Sequence, residues 1–144
     1  PWKEYEARRD CLATYAPTIG MELRVQEDYG LREFVRHVAD DIEHRCTYCY
    51  EHRLEGTARY AAEHGYAAFT TTLLCSLYQD HDGIARAAER YAAQYGVEFL
   101  YRDFRPYFRD GQTFAREHDF YMQKYCGCVF SEEERYLKKS KIIP

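Results

Sequence analysis

The chain has 144 residues, 46% hydrophobic and 31% charged, which is enough apolar material for one buried core under a charged surface. Its formal charge of −4, with a pI of about 5.9, excludes bulk, sequence-blind nucleic-acid binding but leaves room for a local Arg or Lys patch. No apolar run approaches the ~18 residues that span a bilayer, so no membrane association is expected.

Pro1 opens the chain without a charged-then-apolar leader. Secretion is therefore not expected and a cytoplasmic location is; a first residue other than Met is expected where something has been removed or where the chain starts inside a longer protein. Trp2 to Ala16 reads as an amphipathic helix with Trp2, Tyr5, Leu12 and Ala16 near one face, and Pro17 ends it. Met21 to Val25 alternates apolar and polar residues, the pattern of a short strand. A second helix is expected from Leu31 to about Ile42, with Phe34, Val35 and Val38 inward. Asp40 to Arg45 is a charged run leading into a first pair of cysteines.

An internal echo follows. Arg59-Tyr60-Ala61-Ala62, then Gly65 and Tyr66 to Phe69, resembles Arg90-Tyr91-Ala92-Ala93, then Gly96 and Val97 to Phe99, at an offset of 31 residues. Each copy reads as a helix, a glycine stop and a short strand. The inward faces are Tyr50, Leu54, Ala58 and Ala61 in the first helix, and Ile84, Ala88, Tyr91 and Tyr95 in the second. Alternating helix and strand predicts an α/β layer with parallel strands. Ligands of such sheets bind beyond the carboxyl ends of the strands, here Thr70-Thr71-Thr72 and Leu100 to Phe104. From Gly111 a short helix is expected to Asp119. A second cysteine pair comes next. Ser131 and Glu134 have capping-box spacing for a last helix to about Lys139. Together this reads as a single α/β domain over 1–144, carrying a C-terminal Cys-x-Cys segment and helical residues within 111–140.

Four of the six cysteines form the two tight pairs, Cys46-Thr47-Tyr48-Cys49 and Cys126-Gly127-Cys128. C-x-x-C presents two sulfurs from one turn of backbone. In C-x-C the glycine permits the bend that turns both sulfurs inward. Four thiolates are soft ligands suited to zinc or to an iron–sulfur cluster, and spacing does not choose between them. Cys46 and Cys49 are expected at the start of the helix that runs to His64, whose positive end favours thiolate. Arg45, Arg53 and Lys124 add nearby positive charge. Cys11 and Cys75 read as core residues.

The stretches Arg45 to Glu55 (R-C-x-x-C-Y-x-x-R-L-E), Phe69 to Leu73 (F-T-T-T-L), Tyr95-Gly96-Val97, Tyr101 to Arg105 (Y-R-D-F-R) and Gln123 to Ser131 (Q-K-Y-C-G-C-V-F-S) together resemble the QueH epoxyqueuosine reductases. The match runs from about Trp2 to Tyr136. It implies reductive removal of the epoxide oxygen of epoxyqueuosine to give queuosine in tRNA. It also implies a Rossmann-like (HUP-like) parallel sheet flanked by helices. An iron–sulfur cluster of the 4Fe-4S kind is implied on Cys46, Cys49, Cys126 and Cys128, with an additional iron, and an electron donor that the sequence does not identify. Family members begin with a strand and a C-C-x-x-C segment that this chain lacks. The sheet is thus expected without its first strand and the ligand set is partial, so catalysis by this chain alone is not implied. Tyr107 and Met122 stand where the family has glycine and arginine.

Opening an epoxide to an alkene takes two electrons and two protons. Asp103, at a strand end, is the expected proton donor; it is equally placed to pair with Arg102 or Arg105. Asp80, His81 and Asp82, in the loop before a helix, are further candidates, but Asp80 and Asp82 read more readily as helix caps and His81 as a loop residue. Thr71, Thr72, Tyr101, Arg102 and Arg105 are the expected substrate and tRNA contacts, with Tyr48 and Arg109 as further stacking or phosphate groups. The rival readings are a zinc-stabilised α/β binding domain without catalytic activity and a dithiol oxidoreductase using Cys46 and Cys49.

Overall fold

Two helices carry most of the buried apolar surface in the computed structural model, which describes residues 1–137. Helix α3 is Arg45–Glu63 and helix α4 is His81–Tyr95. Tyr50, Leu54, Ala58 and Ala61 recur every three or four residues and are all buried; they pack on Ile84, Ala87, Ala88 and Tyr91. Leu54 is 1% exposed and Ile84 fully enclosed. Around this seam, tyrosine hydroxyls bridge the helices. Tyr91 Oη donates to Glu51 at 2.8 Å, and Tyr95 Oη donates to Glu55 at 3.0 Å.

Both helices stop at glycine. Gly65 and Gly96 take φ values of +73° and +68°, which a side chain disfavours, and the following amides bond back to Ala61 and Ala92. Each stop releases a two-residue strand, β1 (Ala68–Phe69) and β2 (Glu98–Phe99). These pair in parallel with Ala68 opposite Glu98 and Phe69 opposite Phe99, joined through α4. The expected parallel α/β pairing is present. Among the described residues the sheet is this one pair, so the molecule is helix-dominated. The echo is imperfect in packing, because Tyr91 is buried while Tyr60, its counterpart, is exposed.

The chain divides into two compact units. One is residues 27–109, and the other combines 1–26 with the described residues from 110 onward. The first holds α2 (Leu31–Val38), α3, β1, α4 and β2. The second holds α1 (Trp2–Tyr15) and α6 (Val129–Leu137); α5 (Phe108–Glu117) begins at the join.

Several sequence expectations are corrected. Met21 to Val25 forms no strand: Met21 and Val25 are half exposed and no ladder partner bonds to them. Without a face to bury, alternation alone does not make a strand. The expected face of helix α1 is buried only in part, at Ala16 just past its end. Trp2 and Leu12 are exposed, whereas Glu4 is 7% exposed. Helix α2 ends at Val38, not Ile42, because Asp41 starts a new turn by accepting the His44 amide at 3.3 Å. Of its expected inward residues, Val38 is buried and Val35 is exposed. Helix α5 starts at Phe108 rather than Gly111, and α6 at Val129 rather than Ser131. Ser131 is already inside that helix, its hydroxyl donating to the Cys128 carbonyl at 2.9 Å, so it caps nothing. The expected end of α6 at Lys139 lies outside the described residues. Cys11 and Cys75 are half-buried, not core.

Candidate active site

The unit spanning 27–109 gathers its polar chemistry at one end. A parallel pair joined by a helix puts both strand ends, and the start of that helix, on the same side. The backbone confirms the alignment: the Leu100 amide donates to the Phe69 carbonyl at 2.9 Å, and Thr70 Oγ1 donates to the Leu100 carbonyl at 2.9 Å. Asp80 caps α4, accepting from the Gly83 amide at 3.0 Å. This is the cap read from the sequence. The start of α3 is tied to the same end, since Tyr50 Oη donates to Gln79 at 2.8 Å and accepts the Asp80 amide at 3.1 Å.

Cys46 and Cys49 lie in the first turns of α3, three positions apart and hence on one face. Cys46 is exposed and Cys49 half-buried. The helix start turns its positive end toward anionic sulfur. Arg45 folds back onto the Ile42 carbonyl at 3.1 Å. Beside the pair, Tyr48 is stacked between His37, 4.6 Å away, and His52, 5.6 Å away. Burial and the neighbouring Glu33 and Cys49 raise the Tyr48 phenol above its ordinary range.

Beyond the strand ends, the expected contacts separate into two kinds. Thr71 serves the backbone, accepting the Leu73 amide at 3.2 Å, while Thr72 is exposed. Asp103 and Arg105 form a two-point ion pair at 2.9 and 2.7 Å. The Arg105 side chain and amide hold the Asp103 carboxyl down to about 2. Asp103 is held as an anion that orients Arg105. Arg102 lies over the Phe104 ring at 5.5 Å and Arg109 is exposed. Tyr101 and Arg102 line a groove of about 520 Å³ with Thr70, Leu100 and Phe104.

His81 stands among the lesser proton-donor candidates of the sequence. The sequence reads it as a loop residue; it is instead the first residue of α4 and is 7% exposed. Its Nε2 lies 3.0 Å from Tyr101 Oη, and its buried Nδ1 has no hydrogen-bond partner among the described residues.

In the other unit, the second cysteine pair sits on a loop gripped by α1. Arg8 donates to the Tyr125 carbonyl at 2.6 Å and the Cys126 carbonyl at 2.9 Å, while pairing with buried Glu4 at 2.5 Å. Glu4 also accepts from the Tyr121 hydroxyl, which raises the Tyr121 phenol above its ordinary range. Gly127 has φ +98°, and a Cβ there would stand 2.9 Å from Arg8 Nη1. The glycine thus permits both the bend and the close approach of the guanidinium. Cys126 Sγ is 2.9 Å from Ser131 Oγ. Cys128 is hydrogen-bonded to Cys126 and half-buried, both of which raise its thiol, while the Ser131 and Phe130 amides at the start of α6 oppose the rise.

Each unit therefore presents one pair of soft sulfurs at a helix start. This chemistry fits a cation that replaces thiol protons. Among the described residues no three His, Cys, Asp or Glu side chains gather as a metal site. Also among them, no helix is long and apolar enough to cross a membrane.

Comparison with known proteins identifies the family. A family model described as epoxyqueuosine reductase QueH matches residues 1–134. The chain is similar to a protein of that name from Dehalococcoides mccartyi, 36% identical over 138 residues that cover 96% of this chain and 76% of the relative. A Thermotoga maritima relative of the same name is 32% identical over 151 residues, covering 99% of this chain and 79% of the relative. For a Helicobacter pylori relative, also so named, the figures are 32% over 143 residues, 91% and 39%.

Proposed function

Because this chain belongs to the epoxyqueuosine reductase QueH family, a family of oxidoreductases, we propose that it removes the epoxide oxygen of epoxyqueuosine in tRNA to give queuosine. The observation that carries the reading is that the family match over residues 1–134 takes in both cysteine pairs and both strand ends. The relatives carry reductase names, which favours this reading over a zinc-stabilised domain without activity.

The reaction breaks two C–O bonds, adds two electrons and two protons, and yields an alkene and water. We propose that Cys46, Cys49, Cys126 and Cys128 hold an iron–sulfur cluster of the 4Fe-4S kind, with an additional iron. Their placement at the starts of α3 and α6 supports thiolate ligation. When bound, such a cluster supplies electrons one at a time, received from a separate donor. The protein's own residues bind and orient the nucleoside and move protons. Tyr101, Arg102 and the Asp103–Arg105 pair stand beyond the strand ends where a flipped-out base and its phosphates would meet stacking and guanidinium groups, with Thr71 and Thr72 beside them. The fold reading is a Rossmann-like layer of the HUP kind, supported by the parallel β1–α4–β2 unit. The location proposed is the cytoplasm, where tRNA is modified.

Expression in bacteria lacking their own epoxyqueuosine reductase tests the proposal. Queuosine should replace epoxyqueuosine in the digested tRNA. Accumulation of epoxyqueuosine alone would count against it.

A further inference from the structure

His81 is almost wholly buried yet its Nδ1 has no partner among the described residues. Its other nitrogen, Nε2, meets Tyr101 Oη at 3.0 Å, with the rings edge to face at 83°. Tyr101 itself is 52% exposed and borders the groove next to Thr70 and Arg102.

The neutral imidazole has one proton to place. If it sits on Nδ1, a buried N–H is left without an acceptor, a defect that folded proteins almost never keep. Nε2 would then accept the Tyr101 proton, turning the phenol away from the groove. If the proton sits on Nε2, the buried atom is only an unmet lone pair, which is tolerated more often. Nε2–H then donates to the Tyr101 oxygen. Because that oxygen is already accepting a bond, its own O–H is directed toward the groove.

We propose that Tyr101 is the catalytic acid that protonates the departing epoxide oxygen, and that His81 is the positioning residue that fixes its O–H toward the substrate. This rests on the reductase reading. In the step, the Tyr101 O–H bond breaks and an O–H bond forms on the oxygen as its C–O bond opens. The phenolate that remains is stabilised by the His81 Nε2–H donor and regains a proton from solvent. The two electrons are those that the reductase reaction already draws from its one-electron donor. The second proton reaches the oxygen from solvent as it leaves as water. Asp103, already ionised beside Arg105, does not compete for this role.

Single-turnover reduction of epoxyqueuosine tRNA by the protein carrying its native cofactor, with a one-electron reductant, tests the pair. Tyr101→Phe keeps the ring and should slow the step about 100-fold or more, while half-saturating tRNA stays within about twofold. His81→Gln retains a side-chain N–H and should keep more activity than His81→Leu. Nitrogen-15 NMR of the wild-type ring should show the Nε2–H tautomer, independently of turnover. Wild-type turnover with an undiminished rate in Tyr101→Phe overturns the inference alone, as does the Nδ1–H tautomer. No turnover by wild type overturns the reductase reading with it.

Discussion

Arg8, on the first helix, donates a hydrogen bond of 2.9 Å to the backbone carbonyl of Cys126, 118 positions later in the chain. With its bond to the Tyr125 carbonyl and its pairing with Glu4, this one side chain fixes the loop that displays Cys126 and Cys128. Removing it unbinds two carbonyls and leaves the buried Glu4 carboxylate without its counter-ion. Arg8→Ala should cost about 2–3 kcal/mol, read as a lower urea midpoint at unchanged slope. Cofactor iron should also be lost faster to a chelator than from wild type.

Gly127→Ala tests the same contact from the other side. The backbone there has φ +98°, and the new methyl would press on Arg8. The substitution should cost about 1–3 kcal/mol in wild type. It should cost less when Arg8 is already alanine, because the steric part is gone. Equal costs in both backgrounds, measured by urea unfolding, would show that the guanidinium does not constrain this turn.

The α3–α4 seam predicts where stability resides. Leu54→Ala opens a cavity against fully buried neighbours and should cost about 3 kcal/mol. Tyr91→Phe removes the hydroxyl bonded to Glu51 and should cost about 1–2 kcal/mol. Thermal unfolding of the two single variants checks both the order and the direction.

That seam is also the part of the fold most legible in the sequence. Tyr50, Leu54, Ala58 and Ala61 repeat at helical spacing, and Gly65 and Gly96 mark stops that only a residue at ease with positive φ supplies. These signals are local, and local sequence carries them. What stayed hidden depends on distant partners. Glu4 pairs with Arg8 at helix spacing, but its burial also depends on the Tyr121 hydroxyl, 117 positions later, which no spacing within α1 announces. Met21 to Val25 has the alternation of a strand but no sheet edge to join. The cysteine pairs and strand ends stand out as motifs, yet His81 becomes a site residue only through its contact with Tyr101, 20 positions away.

Asp103 gives a pH signature. Its folded carboxyl lies at about 2, below the 3.8 of an unperturbed aspartate. A depressed folded value means its contribution to stability is present above about 3.8 and is lost as pH falls toward 2. The carbon-13 titration of the Asp103 carboxyl should have its midpoint near 2, moving toward 3.8 in Arg105→Ala. A wild-type midpoint near 3.8 would mean that the ion pair does not persist in solution.

We propose that this chain reduces an epoxide using the thiolates of both cysteine pairs. The most direct measurement is anaerobic incubation of the iron- and sulfide-loaded protein with epoxyqueuosine tRNA and a one-electron reductant, followed by mass spectrometry of the nucleosides. Wild type should yield the nucleoside lighter by one oxygen. Cys46→Ser and Cys128→Ser, one from each pair, should each abolish that product. Unchanged epoxyqueuosine with wild type, or full conversion by either variant, would contradict the claim.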